Sequence, residues 1–367
     1  MDARMNARNG GISRRDFVML GGAALAALAG LGVVGCGSAA PSGSAAAGTQ
    51  AASGSAATTA AADPVTLKVA YMPTLGSASA LFTGIDQGFF EEQGITVEPQ
   101  QFQKGPAEIT AMQSGDIDVS EIGHGAHSLA IKGQATVIAL DQLSKADAVV
   151  ANKAHGISTA ADLKGKTVAV ASGTSSQVIL TYVLKSAGLT TDDVTLAEMD
   201  VAGMTTALVG GKVDAAATWS PNTITIKQQL GDDYVVLGTN QDFTDKVAFP
   251  ASFVTTPDYA KQNKDVLVRF GVALLKAQAY RAQNIDEVAK KTAADINVDE
   301  DVFVKSEEEG DWQAPVDAIG DADKVKAIYE AQQNAFVDGG TITEKVPVEN
   351  YVDFDLIKAY GDAYKSA

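Results

Sequence analysis

Thr167–Met199 reads TVAVASGTSSQVILTYVLKSAGLTTDDVTLAEM, and its pattern changes twice along the way. Thr167 to Ala171 is an apolar run of the kind a strand covered on both faces needs. Ser175 to Ser186 has helical spacing up to Gly188, and Val194 to Met199 resumes a strand. Strand, helix and strand in so short a stretch make a βαβ unit, and the same alternation extends outward on both sides. Upstream, Val65 to Met72 reads as a strand. Ser77 to Gln93 reads as a helix with Leu81, Phe82, Ile85, Phe89 and Phe90 on its apolar side, stopped by Gly94. Ile95 to Phe102, Ile117 to Ile122 and Thr136 to Leu140 are further strands, with a short helix at Pro106 to Ser114. Downstream, Ala215 to Trp219 and Tyr234 to Leu237 are strands. Beyond Pro257 the chain is mainly helical, longest over Lys264 to Asn284. The expected class is α/β, built on parallel units, and no period of 20–50 residues marks a repeat solenoid.

The 367 residues carry 28 Lys+Arg against 45 Asp+Glu, a net charge of −17. A surface this acidic repels phosphate backbones and anionic headgroups, which argues against nucleic acid and against a basic membrane-surface domain. One cysteine leaves no internal disulfide and no multi-cysteine metal site.

That cysteine ends an address. Ser13-Arg14-Arg15-Asp16-Phe17-Val18 precedes a weakly apolar run from Met19 to Val34, a basic start and apolar stretch that predict an export signal over 1–35. The paired arginines resemble a twin-arginine signal, with the general secretory route as the alternative. Val33-Val34-Gly35-Cys36 resembles a lipobox, so Cys36 is expected to be lipidated. From Gly37 to Ala62 only Gly, Ser, Ala, Thr, Pro and Gln occur, which predicts a flexible tether over 36–63.

Ligands of open α/β sheets bind off the carboxyl ends of strands, where helix N-termini converge. That rule selects four loops: Pro73-Thr74-Leu75-Gly76-Ser77, Gln103-Lys104-Gly105, Gly123-His124-Gly125 and Ser172-Gly173-Thr174-Ser175-Ser176. The last offers hydroxyls and free N–H groups to a sulfonate, nitrate or carboxylate; its hydroxyls could equally do no more than cap a helix. It lacks the spacing of a phosphate loop. Trp219-Ser220-Pro221, ending a strand of small residues, reads as a cleft wall, with a core Trp as the alternative. Phe249 and Phe253 bracket the later strand as an opposing apolar wall or as ordinary core. Glu121, His124 and His127 lie within seven residues, but His155 is the only other histidine, so His124 reads as a hydrogen-bond donor rather than a metal ligand. Lys104 is the one well-placed cation.

Several segments together carry a family resemblance: Ile85–Ile95 (IDQGFFEEQGI), Ala111–Asp118 (AMQSGDID), Ala161–Val170 (ADLKGKTVAV), and Gly210–Ala216 (GGKVDAA) with Trp219-Ser220-Pro221. In order and spanning about 65–285, they resemble the nitrate/sulfonate/taurine-type solute-binding proteins of ABC importers. The resemblance implies a periplasmic-binding-protein type II fold, with a cleft and hinge between two α/β lobes at 64–150 plus 248–367 and 151–247. It also implies capture without catalysis and no cofactor. The expected protein is an exported monomer, anchored through Cys36 to the outer face of the cytoplasmic membrane, that hands a small anionic solute to an ABC permease with its ATPase.

An aliphatic sulfonate is the expected ligand. Taurine is disfavoured because Phe249-Pro250-Ala251-Ser252-Phe253 offers no carboxylate to an amine. A pyrimidine-like vitamin precursor is the alternative ligand. A pyrimidine-synthase-like enzyme is the alternative activity, disfavoured because no cysteine-rich motif is present and because Gly-x-Ser-x-Gly is absent.

Overall fold

The computed structural model describes residues 63–366. The export signal, Cys36 and nearly all of the tether therefore lie outside the described residues. Eleven strands occur in chain order: β1 (Val65–Tyr71), β2 (Ile95–Gln101), β3 (Val119–Ile122), β4 (Thr136–Ser144), β5 (Asp147–Asn152), β6 (Thr167–Val170), β7 (Thr195–Glu198), β8 (Ala215–Trp219), β9 (Tyr234–Thr239), β10 (Pro250–Thr255) and β11 (Gly310–Asp311). They form two sheets, ordered β11-β4-β10-β3-β1-β2 and β7-β6-β8-β5-β9.

The sheets are mixed rather than purely parallel. The βαβ units give the parallel pairs β1/β2, β1/β3, β6/β7 and β6/β8. The strands at the two crossings enter antiparallel: β5 against β8 and β9, β10 against β3 and β4. A chain that leaves one sheet and returns to it arrives from the opposite end, and only a segment inside a βαβ unit has a crossover helix to turn it round.

Alternation along the inner strands explains how the second sheet is covered. Val168 and Val170 join Val149, Ala215 and Ala217 on one face, against Ile179 and Val183 of the helix Ser175–Ser186. Ala169, Ala216 and Val150 face the other way, against Met204 and Leu208 of the helix Val201–Val209. In the first sheet Leu67, Val69, Val119, Val137 and Phe253 belong to a core closed by the helices Leu75–Asp86, Lys264–Gln283 and Phe354–Ser366. The long C-terminal helix Ala322–Asp338 serves both cores, with Tyr329 in the first and Phe336 in the second.

One expected helix is divided. Ser77 to Gln93 becomes Leu75–Asp86 and a short Phe89–Glu92, because Gly88 between them takes φ 73, a left-handed conformation that favours glycine. The break turns Phe90 inward, where it stacks on Phe270 at 5.3 Å.

Candidate binding cleft

The first sheet hands over to the second at Lys145-Ala146, between β4 and β5, and the chain returns between β9 and β10. These passages are tied together. Ser144 N–H donates to Phe249 O at 2.8 Å, Asn240 Nδ2 donates to Ser144 O at 2.6 Å, and Ser220 N–H donates to Ala146 O at 3.3 Å. Beside them, between the sheets, lies a cavity of about 720 Å³ including its open mouth.

Two strand-to-helix turns face this cavity, and both are built alike. After β1, Thr74 caps the helix Leu75–Asp86 by accepting from Ser77 N–H at 3.1 Å, and Ser77 Oγ accepts from Met72 N–H at 2.9 Å. After β6, Thr174 Oγ1 accepts from Ser176 N–H at 3.2 Å, and Ser176 Oγ accepts from Ala171 N–H at 3.0 Å. Each arrangement fixes a helix whose first N–H groups lack intrahelical partners and whose dipole places partial positive charge at the cavity. Thr74, Gly76, Ser77, Thr174 and Ser175 all line it. The glycine loop after β3 meets the second turn at Gly125, where a β-carbon would stand 2.1 Å from the Thr174 carbonyl carbon.

Of the residues expected from sequence, Thr74, Leu75, Gly76, Ser77, Gly105, Gly123, His124, Gly125, Thr174, Ser175, Trp219 and Ser220 line the cavity. Others do not. Pro73 and Gln103 belong to the selected loops but lie outside the lining. Lys104 pairs with Asp200 at 3.0 Å on the surface. Ser172 is exposed, its N–H and hydroxyl turned to Glu198. Ser176 is fully buried and donates to Ala217 O at 2.6 Å, which leaves its hydroxyl nothing for a ligand. Phe253 is fully buried in the first core and meets Phe270 edge-on at 5.7 Å. A regular pleat would put Phe253 on the same face as Ala251, but the register of β10 against β4 shifts between Ala251 and Ser252, and of the two only Ala251 lines the cavity.

His124 is a wall, not a cation. It stacks on Phe249 at 4.3 Å and tilts against Phe336 at 4.9 Å. Burial, with His127 nearby, holds its pKa well below the ordinary value, so the ring is neutral and its Nε2 has no partner. His127 faces elsewhere. Its Nε2 meets Ser252 Oγ at 2.8 Å and its Nδ1 meets Gly123 O at 3.1 Å, which anchors the glycine loop to β10. Among the described residues no group of His, Cys, Asp and Glu could hold a metal.

The polar lining residues outside those loops are mostly acceptors. Glu121, Gln142, Asp147 and Glu309 face the cavity with Ser144, Ser306 and Trp312, and among the described residues no Lys or Arg lines it. Burial pushes the Asp147 carboxyl up to about 6, against the Ser175 and Ser144 hydroxyls that lower it. Burial likewise pushes Glu309 up to about 7, opposed by the hydroxyls of Ser220 and Ser306 and reinforced by the charge of Asp147. Glu121 lies well above its ordinary value, through burial and the neighbouring Asp141. These carboxylates supply what the Phe249–Phe253 segment lacks. They come from the ends of β3 and β5 and from the turn before β11, places no local motif marks. Both tryptophans of the chain, Trp219 and Trp312, border the cavity. Behind Trp312 the guanidinium of Arg281 lies 5.0 Å from its ring, buried and paired with Asp141 at 3.0 Å.

The family model described as NMT1/THI5 like matches residues 77–288. A binding protein of Brucella abortus (strain 2308) is 30% identical over 242 residues, covering 66% of this chain and 75% of that one. An aliphatic sulfonates-binding protein of Bacillus subtilis (strain 168) is 28% identical over 313 residues, 82% of this chain and 90% of that one. Among solved structures, the alkanesulfonate-binding protein SsuA of Xanthomonas axonopodis pv. citri, bound to MOPS, superposes with a TM-score of 0.61 at 20% identity, over 80% of this chain and 99% of its own. A Candida albicans protein described as having the generic periplasmic binding protein fold gives 0.63 at 17% identity, over 79% and 96%. The desulfurization enzyme DSZB gives 0.61 at 16%, over 82% and 99%. The fold is thus that of the periplasmic binding proteins, a scaffold also used by an enzyme.

Proposed function

The chain belongs to the NMT1/THI5-like family, and from that membership we propose that it is the extracytoplasmic solute-binding component of an ABC importer, capturing a small organic sulfonate and delivering it to a permease with its ATPase. The observation that carries this reading is the pair of capped helix N-termini, at Thr74 and Thr174, facing one cavity between two sheets. Unpaired N–H groups at a positive helix end suit an anionic head. Leu75 N–H, Gly76 N–H and Ser175, backed by Ser77 and Thr174, are the groups assigned to the sulfonate, with Trp219 and His124 as walls along its organic part.

Capture rather than catalysis is supported by relatives named as binding proteins. Fold alone would not decide it, since DSZB shares the scaffold. The lobes are taken as 64–150 plus 248–367 and 151–247, closing about the tied crossings by hinge motion. Export under residues 1–35 and lipidation at Cys36 would hold a monomer at the outer face of the cytoplasmic membrane. Cys36→Ala is then expected to release the protein from the membrane fraction, and quantitative retention would remove the anchor from the proposal.

Because both tryptophans border the cavity, intrinsic fluorescence reports its occupancy. Titration with a series of alkanesulfonates, nitrate and pyrimidines is expected to give saturable changes for sulfonates. Saturation by a pyrimidine alone would replace the sulfonate reading with the heterocycle one.

A further inference from the structure

The helix Ala322–Asp338 starts in one core and ends in the other. Val325 and Tyr329 belong to the first core, Ala335 and Phe336 to the second. Just past the helix, Ile342 is still in the second core, whereas Val348 and Tyr351 are back in the first. After β10 the chain therefore passes between the cores twice more. This stretch lies beyond residues 77–288, which the family model matches.

Midway, the helix is bonded to the glycine wall of the cleft. His127 Nδ1 lies 3.1 Å from Gly123 O and 3.2 Å from His124 O, and carbonyls only accept, so Nδ1 carries the proton. Burial keeps that ring neutral by pushing its pKa down to about 4. Its Nε2 therefore accepts from Ser252 Oγ at 2.8 Å, and the Tyr329 hydroxyl donates to Ser252 Oγ at 2.7 Å. One relay thus runs from the helix to Gly123. A turn further on, Gln332 Nε2 donates to His124 O at 3.2 Å. Gln333 pairs its amide with the Val346 backbone in both directions, at 2.9 and 2.8 Å, which ties the returning chain to the helix. Phe336, fully buried, tilts against the His124 ring.

Close-packed side chains transmit displacement rather than absorb it. A shift of the second core that carries Phe336 and Ile342 must therefore bend this helix or move the glycine loop bonded to it. Two buried atoms at the joint, Gln332 Oε1 and His124 Nε2, have no hydrogen-bond partner. A second arrangement of the same contacts has bonds to gain there.

We infer that the helix Ala322–Asp338 is a third connection between the two sheets, a lever that couples the second core to the glycine wall of the cleft. Tyr329 and Gln332 are its positioning residues, and its last turn moves with the second sheet together with residues 339–342. This goes beyond the solute-binding reading, because it assigns which parts shift as the cleft opens and closes.

Hydrogen exchange on the whole mature chain, without solute, tests the lever from both ends. The amides of Ala126 and His127 are bonded within the glycine loop, and those of Thr341 and Ile342 to Phe336 O. Ile342→Ala trims the second core, and it is expected to speed exchange at Ala126 and His127 about tenfold while β1 and β2 are unchanged. Tyr329→Phe removes one hydroxyl from the relay, and it is expected to speed exchange at Thr341 and Ile342. Effects confined to the core that each variant touches overturn the coupling. Should Ile342→Ala loosen the whole protein, the milder Ile342→Val replaces it, and a rise spread evenly over every strand overturns the coupling too. In a further arm, saturating ethanesulfonate, its binding followed by tryptophan fluorescence, is expected to slow exchange at Thr341 and Ile342, neither of which lines the cavity. Bound ethanesulfonate with no change there overturns the lever. Failure of ethanesulfonate to bind counts against the sulfonate reading alone, and the two variants then decide the lever.

Discussion

Glu108 is fully buried in the helix Gly105–Ser114, whose first turn borders the cleft, and it accepts from Ser120 Oγ at 2.5 Å with its second oxygen unpartnered. Burial pushes its carboxyl up to about 8, against the Ser120 bond that lowers it. In the unfolded chain the same group ionises near pH 4.3, so between the two values folding takes up a proton and stability falls as pH rises. Glu108→Gln keeps the shape and the bond from Ser120 but cannot titrate. With the folded group near 8, the cost of keeping Glu108 neutral grows by about 3 kcal/mol from pH 5 to pH 8. Urea denaturation of wild type and variant at both pH values measures the difference directly. The variant is expected to gain about that much over wild type at pH 8 relative to pH 5. Buried Asp147 and Glu309 slope the same way in both proteins and cancel in the comparison, and Glu121, which feels the charge of Glu108, cancels as long as Glu108 is neutral. A gap between variant and wild type that stays constant within about 0.5 kcal/mol across that range, the accuracy with which independent effects add, would refute a neutral Glu108.

Further outcomes are expected. Gly125→Ala places a methyl 2.1 Å from the Thr174 carbonyl carbon, where ordinary contact begins at 3.4 Å. Overpacking of that kind costs roughly 1–3 kcal/mol, so ligand affinity should fall at least fivefold as the loop after β3 and the Thr174 turn are forced apart, and unchanged affinity by fluorescence would show that they need not meet. Arg281→Met leaves Asp141 buried without its ion pair and should cost about 3–5 kcal/mol in urea at pH 8. The loss should be smaller at pH 5, because an unpaired buried carboxyl protonates there, and a pH-independent loss would contradict the pairing.

Local pattern was sufficient for the alternating elements and for the cleft's rim. Strands such as Thr167–Val170 declare themselves by apolar runs, and the turns at Thr74 and Thr174 by hydroxyls placed ahead of apolar helices. Such signals lie within a few residues of the groups they position, so a single sequence carries them. It could not tell which hydroxyl is left to the cavity: Thr174 donates to Ala171 O and Ser176 to Ala217 O, while Ser175 between them lines the cavity. Nor could it place Phe253, since the face a strand presents depends on its partners' register. The acidic side of the cleft was the least legible. Glu121, Asp147 and Glu309 are far apart along a chain rich in carboxylates, where an acidic residue ordinarily means a solvated surface. Only the crossing of the chain between two sheets gathers them, and only burial, which strips their water, sets them apart from ordinary surface charge.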